Sequence, residues 1–240
     1  MHWPRTVDRA SLPLDAAIGR TIARVGRHGK FILIALDGGR TLAVHLRMTG
    51  RLLVAGRGER DAHERLTVGF DDGSTLRFAD ARKFGRVRLL DGDPKAELGA
   101  GIDALDPALD AVAFAALLAR RKTPIKTLLL DQRRIAGIGN IYANEALFRA
   151  RIRPRRRAGS LTAAERARLL RSLRFVLERA IERRGTSVAD YVDAEGLPGE
   201  FQNLLAVYGR AGLPCRRCRT PIKRIELTQR GTFYCPVCQQ

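Results

Sequence analysis

The sequence predicts an α+β multidomain chain in which a sheet-rich half precedes a helical half and a metal-held ribbon comes last. Three observations carry this. Apolar residues recur with period two between Ile18 and Leu90, capped amphipathic stretches follow from Phe114 to Gly185, and two Cys-x2-Cys pairs stand near the end.

The strand candidates come in order. Residues 21–25 alternate, residues 31–36 form a continuous apolar run, and residues 41–46, 51–54, 66–70, 75–78 and 86–90 follow. Asp37-Gly38-Gly39 and Asp71-Asp72-Gly73-Ser74 are hairpin-turn signals between them. Short strands at this spacing suggest a sandwich or a barrel. The boundary between the halves falls near residues 95–112, where Gly, Asp and Pro cluster.

In the helical half, residues 114–121 are briefly amphipathic. Thr123-Pro124 reads as an N-cap with proline at the first helical position, opening a helix to about Leu130. Residues 131–139 hold two glycines and read as a turn region before a helix from Asn140 to about Arg149. Thr162-Ala163-Ala164-Glu165 is a capping box for a long helix that Gly185 ends, with Leu169, Leu170, Leu173, Val176 and Ile181 on its apolar face. Pro154 and its flanking arginines read as a linker.

Cys215-x2-Cys218 and Cys235-x2-Cys238 fit one tetrahedral four-thiolate site. The stretch between them is extended in character, so a zinc-finger β-hairpin is expected. A redox dithiol and four free thiols are the competing readings. One structural Zn2+ is the expected cofactor, because four thiolates leave no open position.

The 240 residues carry 44 Lys plus Arg against 25 Asp plus Glu, a formal charge of +19. Such an excess costs a compact fold self-repulsion and suits a polyanionic partner. Residues 115–157 hold 12 of these cations against only Asp131 and Glu145. A solvated face is the usual fate of such a run, but glycine turns and helix N-termini beside it favour a phosphate track. No apolar run is long enough to span a membrane, and no secretory signal is visible. No membrane partner and a bacterial cytosolic or nucleoid location are expected.

Six segments in order resemble the formamidopyrimidine-DNA glycosylase and endonuclease VIII family. They are Gly-Lys-Phe (29–31), His-Leu-Arg-Met-Thr-Gly (45–50), Asp-Ala-Arg-Lys-Phe-Gly (80–85), Gly-Ile-Gly-Asn-Ile-Tyr-Ala-Asn-Glu (137–145), Val-Tyr-Gly-Arg (207–210) and Gln-Arg-Gly-Thr-Phe-Tyr-Cys (229–235). The resemblance implies an N-terminal β-sandwich over 1–100, incomplete at its start, a helix–two-turn–helix DNA-binding domain over 112–205, and a zinc finger over 206–240. It implies a monomer that acts in base-excision repair on double-stranded DNA containing oxidised bases or abasic sites. The implied activity is that of a bifunctional DNA glycosylase and abasic-site lyase for oxidised purines.

The family flips its target base out of the duplex, which leaves a hole to be filled. Met48, Arg82 and Phe84 match the intercalating trio: Met and Phe stack, and Arg pairs with the orphaned base. Without the flanking motifs, strand packing would explain Met48 and Phe84, and a surface ion pair would explain Arg82. Lys30 matches a Lys beside the damaged nucleotide and Arg230 an Arg that grips phosphates and assists elimination; these two are the catalytic candidates. His63, Arg121 and Asn140 match DNA-contacting positions, with helix capping as a further role for Asn140. His45 is expected to be structural, and a lesion-capping loop is expected within 186–200.

The sequence departs from the family pattern in three places. The family nucleophile is an N-terminal proline followed by Glu, whereas this chain reads Met-His-Trp-Pro-Arg. Trp3-Pro4 resembles a later part of the first domain, so the segment with the nucleophile and its acid is expected to be missing from this sequence. Arg47 replaces a small residue, and Ala81 stands where proline is common. The alternative function is a non-catalytic damaged-DNA binder using the same helical and zinc modules.

Overall fold

A computed structural model describes residues 4–55, 61–187 and 197–240. The chain divides into two compact units, Met1–Gly99 with Arg183–Gln202, and Ala100–Glu182 with Asn203–Gln240.

Among the described residues the first unit holds seven strands: β1 (Ile22–His28), β2 (Phe31–Leu36), β3 (Thr41–His45), β4 (Gly50–Ala55), β5 (Glu64–Gly69), β6 (Thr75–Asp80) and β7 (Arg86–Leu90). They form two antiparallel sheets, β1-β2-β3-β7 and β4-β6-β5. Ile34, Leu42, Val44 and Val87 of one sheet bury themselves with Leu66 and Phe78 of the other. Apolar side chains at alternate positions leave water together by closing sheet on sheet, which makes this a sandwich and not a barrel. Both predicted turns form; in one, Ser74 N–H bonds Asp72 Oδ1 at 2.8 Å. Alternation in β1 does not lead inward, since Val25 is 63% exposed on an edge strand that pairs, among the described residues, with β2 alone. A short helix α1 (Pro94–Glu97), capped by Asp93, follows β7.

The second unit begins with β8 (Ile102–Asp103), α2 (Ala111–Leu118), α3 (Ile125–Leu130), β9 (Ile135–Ala136), α4 (Asn140–Arg149) and α5 (Ala163–Glu182). β8 and β9 pair in parallel, Ile102 against Ile135. The capping box forms as expected: Thr162 N–H bonds Glu165 Oε2 at 2.8 Å, and Glu165 N–H bonds Thr162 Oγ1 at 3.2 Å. Leu169, Leu173 and Val176 face the core, with Leu147 of α4 also buried. The ribbon strands β10 (Lys223–Leu227) and β11 (Arg230–Tyr234) make an antiparallel hairpin.

Four local expectations are corrected. The N-cap of α3 is Pro124 and not Thr123, because Arg156 O and Pro154 O take the N–H groups of Ile125 and Lys126. Gly139, not Asn140, caps α4, which frees the Asn140 side chain for a distant partner. Ile181 is 62% exposed, because Leu177 and Ala180 close the buried stripe near the end of α5. The segment around Pro154 is no linker. Ile152 and Ala158 are buried, and the Arg156 guanidinium pairs with the Glu165 carboxylate through two bonds, one of 3.0 Å.

Candidate nucleic-acid interface and metal centre

In the sheet unit, the β3–β4 and β6–β7 loops are fastened to one carboxylate. Asp80, at the end of β6, is fully buried. Its Oδ1 accepts from Thr49 Oγ1 at 2.5 Å and Arg82 N at 3.2 Å, and its Oδ2 accepts from Gly85 N at 2.7 Å. Burial works against this carboxylate, but the donors from Thr49, Gly85, Arg82 and Phe84 outweigh it and hold its pKa below the ordinary value. The glycines that end the two motifs are needed for close approach. A Cβ on Gly50 would meet Leu46 O at 2.3 Å, and one on Gly85 would meet Phe78 Cζ at 2.3 Å.

These loops bring Met48, Arg82 and Phe84 together at the surface. Arg82 Nη1 lies 3.6 Å from Met48 Sδ, and Arg82 Cζ lies 4.9 Å from the centre of the Phe84 ring. Met48 is 64% and Phe84 47% exposed, so neither packs into the strand core. Arg47 and Lys83, the residues before Met48 and Phe84, have left-handed backbones with φ of 58° and 61°. That conformation favours glycine, so both residues hold a backbone that costs a side chain energy. Here Arg47 N–H is held by His45 Nδ1 at 3.0 Å.

His45 is structural, as expected. Its ring meets Phe31 edge-on at 4.8 Å, and burial, then the charges of Arg47 and Lys30, push its pKa down to about 4. It therefore stays neutral at physiological pH and can accept the Arg47 N–H. Lys30 is exposed on the β1–β2 turn. His63 is exposed too, and its carbonyl accepts Asp80 N–H at 2.9 Å, so it borders the same anchor.

In the helical unit, the tip of the ribbon is latched onto the α3–α4 pair. Gly231 O accepts from Lys126 Nζ at 3.0 Å and from Asn140 Nδ2 at 3.2 Å. Lys126 Nζ also donates to Thr232 Oγ1 at 2.7 Å, and Phe233 N–H donates to Asn144 Oδ1 at 2.8 Å. Lys126 is buried, and desolvation followed by the charge of Arg230 pushes its pKa down to about 8. Arg230 itself is exposed beside a two-residue turn in which Thr228 and Gln229 have φ of 52° and 57°. A type I′ hairpin turn has positive φ at both central residues, and here neither is glycine. Thr228 Oγ1 is 2.8 Å from Thr127 Oγ1, a tie that supports the turn.

Glu145 joins two of the sequence motifs. Its carboxylate accepts from the backbone N–H groups of Ala206 (2.8 Å), Val207 (2.9 Å) and Tyr208 (2.9 Å). Burial nevertheless raises its pKa against the pull of those bonds. Arg121 is exposed on the segment between α2 and α3. α4 begins at Asn140, whose side-chain amide donates to Gly231 O, so the start of this helix lies next to the residue that follows Arg230. Not every cation in 115–157 serves a phosphate track, since Lys126 points inward and Arg134 pairs with Asp131 at 3.1 Å.

The four cysteines converge, with all Sγ atoms within 4.8 Å of one another. Cys215 and Cys238 sulfurs are 3.9 Å apart, and those of Cys218 and Cys235 are 3.4 Å apart. A tetrahedron with zinc–sulfur bonds of about 2.3 Å needs sulfurs about 3.8 Å apart, so the set fits one structural zinc. The metal would hold the ribbon that carries Arg230.

Sequence reasoning missed Asp80, Thr49, Lys126 and Asn144 as positioning residues. Asp80, Thr49 and Asn144 lie inside quoted motifs, which is a usable signal. Lys126 gives none, because one Lys on a short amphipathic helix reads as surface. The segment 186–200, where a lesion-capping loop is expected, lies largely outside the described residues, which omit 188–196.

The sequence matches three family models: the formamidopyrimidine-DNA glycosylase N-terminal domain over residues 2–87, the formamidopyrimidine-DNA glycosylase H2TH domain over 100–192, and a zinc finger found in FPG and IleRS over 212–240. It is 48% identical to a formamidopyrimidine-DNA glycosylase of Herpetosiphon aurantiacus, covering 100% of this chain and 89% of the relative. A relative of the same description from Chloroflexus aggregans is 47% identical, with 100% and 88% covered. Among solved structures, the MutM (Fpg) protein of Thermus thermophilus superposes with a TM-score of 0.89 at 43% identity, covering 100% of this chain and 89% of that one. A Lactococcus lactis Fpg mutant in complex with Fapy-dG-containing DNA gives 0.89 at 33% identity, with 99% and 89% covered.

Proposed function

This chain belongs to the formamidopyrimidine-DNA glycosylase family, and from that premise we propose that it removes oxidised purines, formamidopyrimidines and 8-oxoguanine, from duplex DNA and nicks the resulting abasic site. Base-excision repair and glycosylase activity on damaged DNA are the family's work. The Met48–Arg82–Phe84 cluster on its Asp80 anchor is the observation that carries the finer reading.

Extruding a base costs a few kcal/mol of stacking, and the vacancy must be refilled. Met48 and Phe84 offer apolar surface that water does not compensate, and Arg82 between them supplies donors to the orphaned base. Asn140, the α4 N-terminal N–H groups and Arg230 suit adjoining phosphates, with Lys30 beside the damaged nucleotide and His63 and Arg121 on the flanking backbone. Arg230 is given a fixed base by the Gly231 latch, and the zinc keeps that latch in place. The protein is proposed to work as a monomer in the bacterial cytosol or nucleoid, where reduced thiols can hold zinc.

Sugar chemistry needs an amine nucleophile and a carboxylate to handle protons. The DNA contacts proposed above serve equally a second reading, a damaged-DNA binder that does not cut. Incubation with a duplex containing 8-oxoguanine opposite cytosine separates the two. Release of the free base, with a borohydride-trapped covalent adduct, is expected for the glycosylase and lyase. Tight binding with neither product would overturn that reading and leave the binder.

A further inference from the structure

On the helical unit a basin of about 560 Å³ opens at the C-terminal end of α4. Arg149, Arg151, Arg168, Arg171 and Arg217 line it together with Phe175, and no Asp or Glu does among the described residues. It is separate from the proposed DNA-contacting turn at Asn140, since nine helical steps carry the chain about 13 Å along α4.

Three of the guanidinium groups are fixed, and none by a carboxylate. Arg168 Nε donates to Ala150 O at 2.7 Å, and Arg217 Nη1 donates to Phe148 O at 2.9 Å. Arg217 also lies over the Phe148 ring at 4.3 Å, and Arg149 lies over the Phe175 ring at 3.5 Å. Capping the last carbonyls of α4 accounts for Arg168 and Arg217. It does not account for Arg149, Arg151 and Arg171, nor for all five facing one concavity. Solvated cations spread over a convex face to lower their repulsion, whereas these are gathered without a counter-charge. Arg149, Arg151, Arg171 and Arg217 are exposed and Arg168 is half-buried; Arg151 and Arg171 make none of the bonds or ring contacts that fix the other three. A guanidinium presents a planar fork of donors that matches phosphate oxygens, and fixed forks lose less freedom on binding.

We propose that this basin is a second oxyanion site, which takes consecutive phosphate groups, with Arg149, Arg168 and Arg217 already fixed and Arg151 and Arg171 free to adjust to the ligand. The ligand chemistry is oligophosphate, supplied either as a free chain or as a nucleic-acid backbone outside the lesion contact. Arg149 and Arg151 belong to the basic run over 115–157, but the site shares no residue with the Met48–Arg82–Phe84 cluster, Lys30, Asn140 or Arg230 and is tested apart from them.

Titration calorimetry of the zinc-loaded full chain with inorganic tripolyphosphate tests this. One saturable site is expected, weakened at least tenfold in the double variant Arg151→Ser, Arg171→Ser. The charge-matched variant Arg5→Ser, Arg9→Ser should bind as the parent does, and both variants should melt as the parent does. Absence of a saturable site, or equal weakening in the two variants, overturns the proposal. An undamaged duplex of about 30 base pairs then identifies the source. A salt slope smaller by about 2 in the basin variant marks backbone phosphates, and an unchanged slope with tripolyphosphate binding lost marks a free oligophosphate.

Discussion

Thr49 and Asp80, 31 positions apart, share a 2.5 Å hydrogen bond that ties the Met48 loop to the Arg82–Phe84 loop. Because the same carboxylate also holds Arg82 N–H and Gly85 N–H, the two loops present their side chains as one surface. Asp80→Asn keeps the shape but turns an amide toward donors that need an acceptor. The expected cost is about 1–3 kcal/mol of stability with a parallel loss of affinity for abasic-site duplex. Thermal melts and fluorescence anisotropy check it. Since the Asp80 pKa is depressed, its contribution is complete at neutral pH and is lost only as pH falls below the ordinary carboxylate range.

The left-handed backbone at Arg47 gives a prediction of opposite sign. Arg47→Gly relieves a conformation that costs a side chain about 1–2 kcal/mol, less what glycine loses on folding. A net gain of about 0.5 kcal/mol is expected, seen as a rise of about 1–2 °C in the melting midpoint. A fall in the midpoint would contradict the strain argument.

Lys126 makes stability depend on alkaline pH. Its pKa is about 8 in the fold against 10.5 as the ordinary value, so across that window the unfolded chain holds a proton the folded chain has released. Stability from this site therefore rises with pH, by on the order of 2–3 kcal/mol between its two ends. Denaturant melts at pH 7.5 and pH 10 should show this gain relative to Lys126→Met, in which it is absent.

Zinc removal should act through the Gly231 latch. Chelation releases the four thiolates, so the ribbon loses the geometry that places Arg230 and Gly231 against Asn140 and Lys126. Duplex affinity is expected to fall at least tenfold and to return with added zinc. Unchanged affinity in the chelated protein would show that the ribbon plays no part in binding.

Much of this was legible in the sequence because period, caps and cysteine spacing are local signals. The seven strands, the capping box at Thr162–Glu165 and the metal ligands all rest on such signals. What escaped depends on distant partners. Lys126 is inward only because Gly231 O and Thr232 Oγ1, about a hundred residues later, accept its protons. Thr123 failed as a cap because Arg156 O had already taken the first helical donor. Nothing near either residue encodes that competition. The Met48, Arg82 and Phe84 motifs announced themselves by resemblance, but their dependence on Asp80 became visible only with the two loops in place.

The most direct measurement compares affinity for a duplex carrying a stable abasic-site analogue with affinity for the same undamaged duplex. If Met48, Arg82 and Phe84 fill the vacated base position, the chain prefers the damaged duplex by at least tenfold. The triple variant Met48→Ala, Arg82→Ala, Phe84→Ala should lose that preference while keeping its affinity for undamaged DNA. Equal affinity of the unaltered chain for the two duplexes, or a preference that survives the triple substitution, would contradict the account.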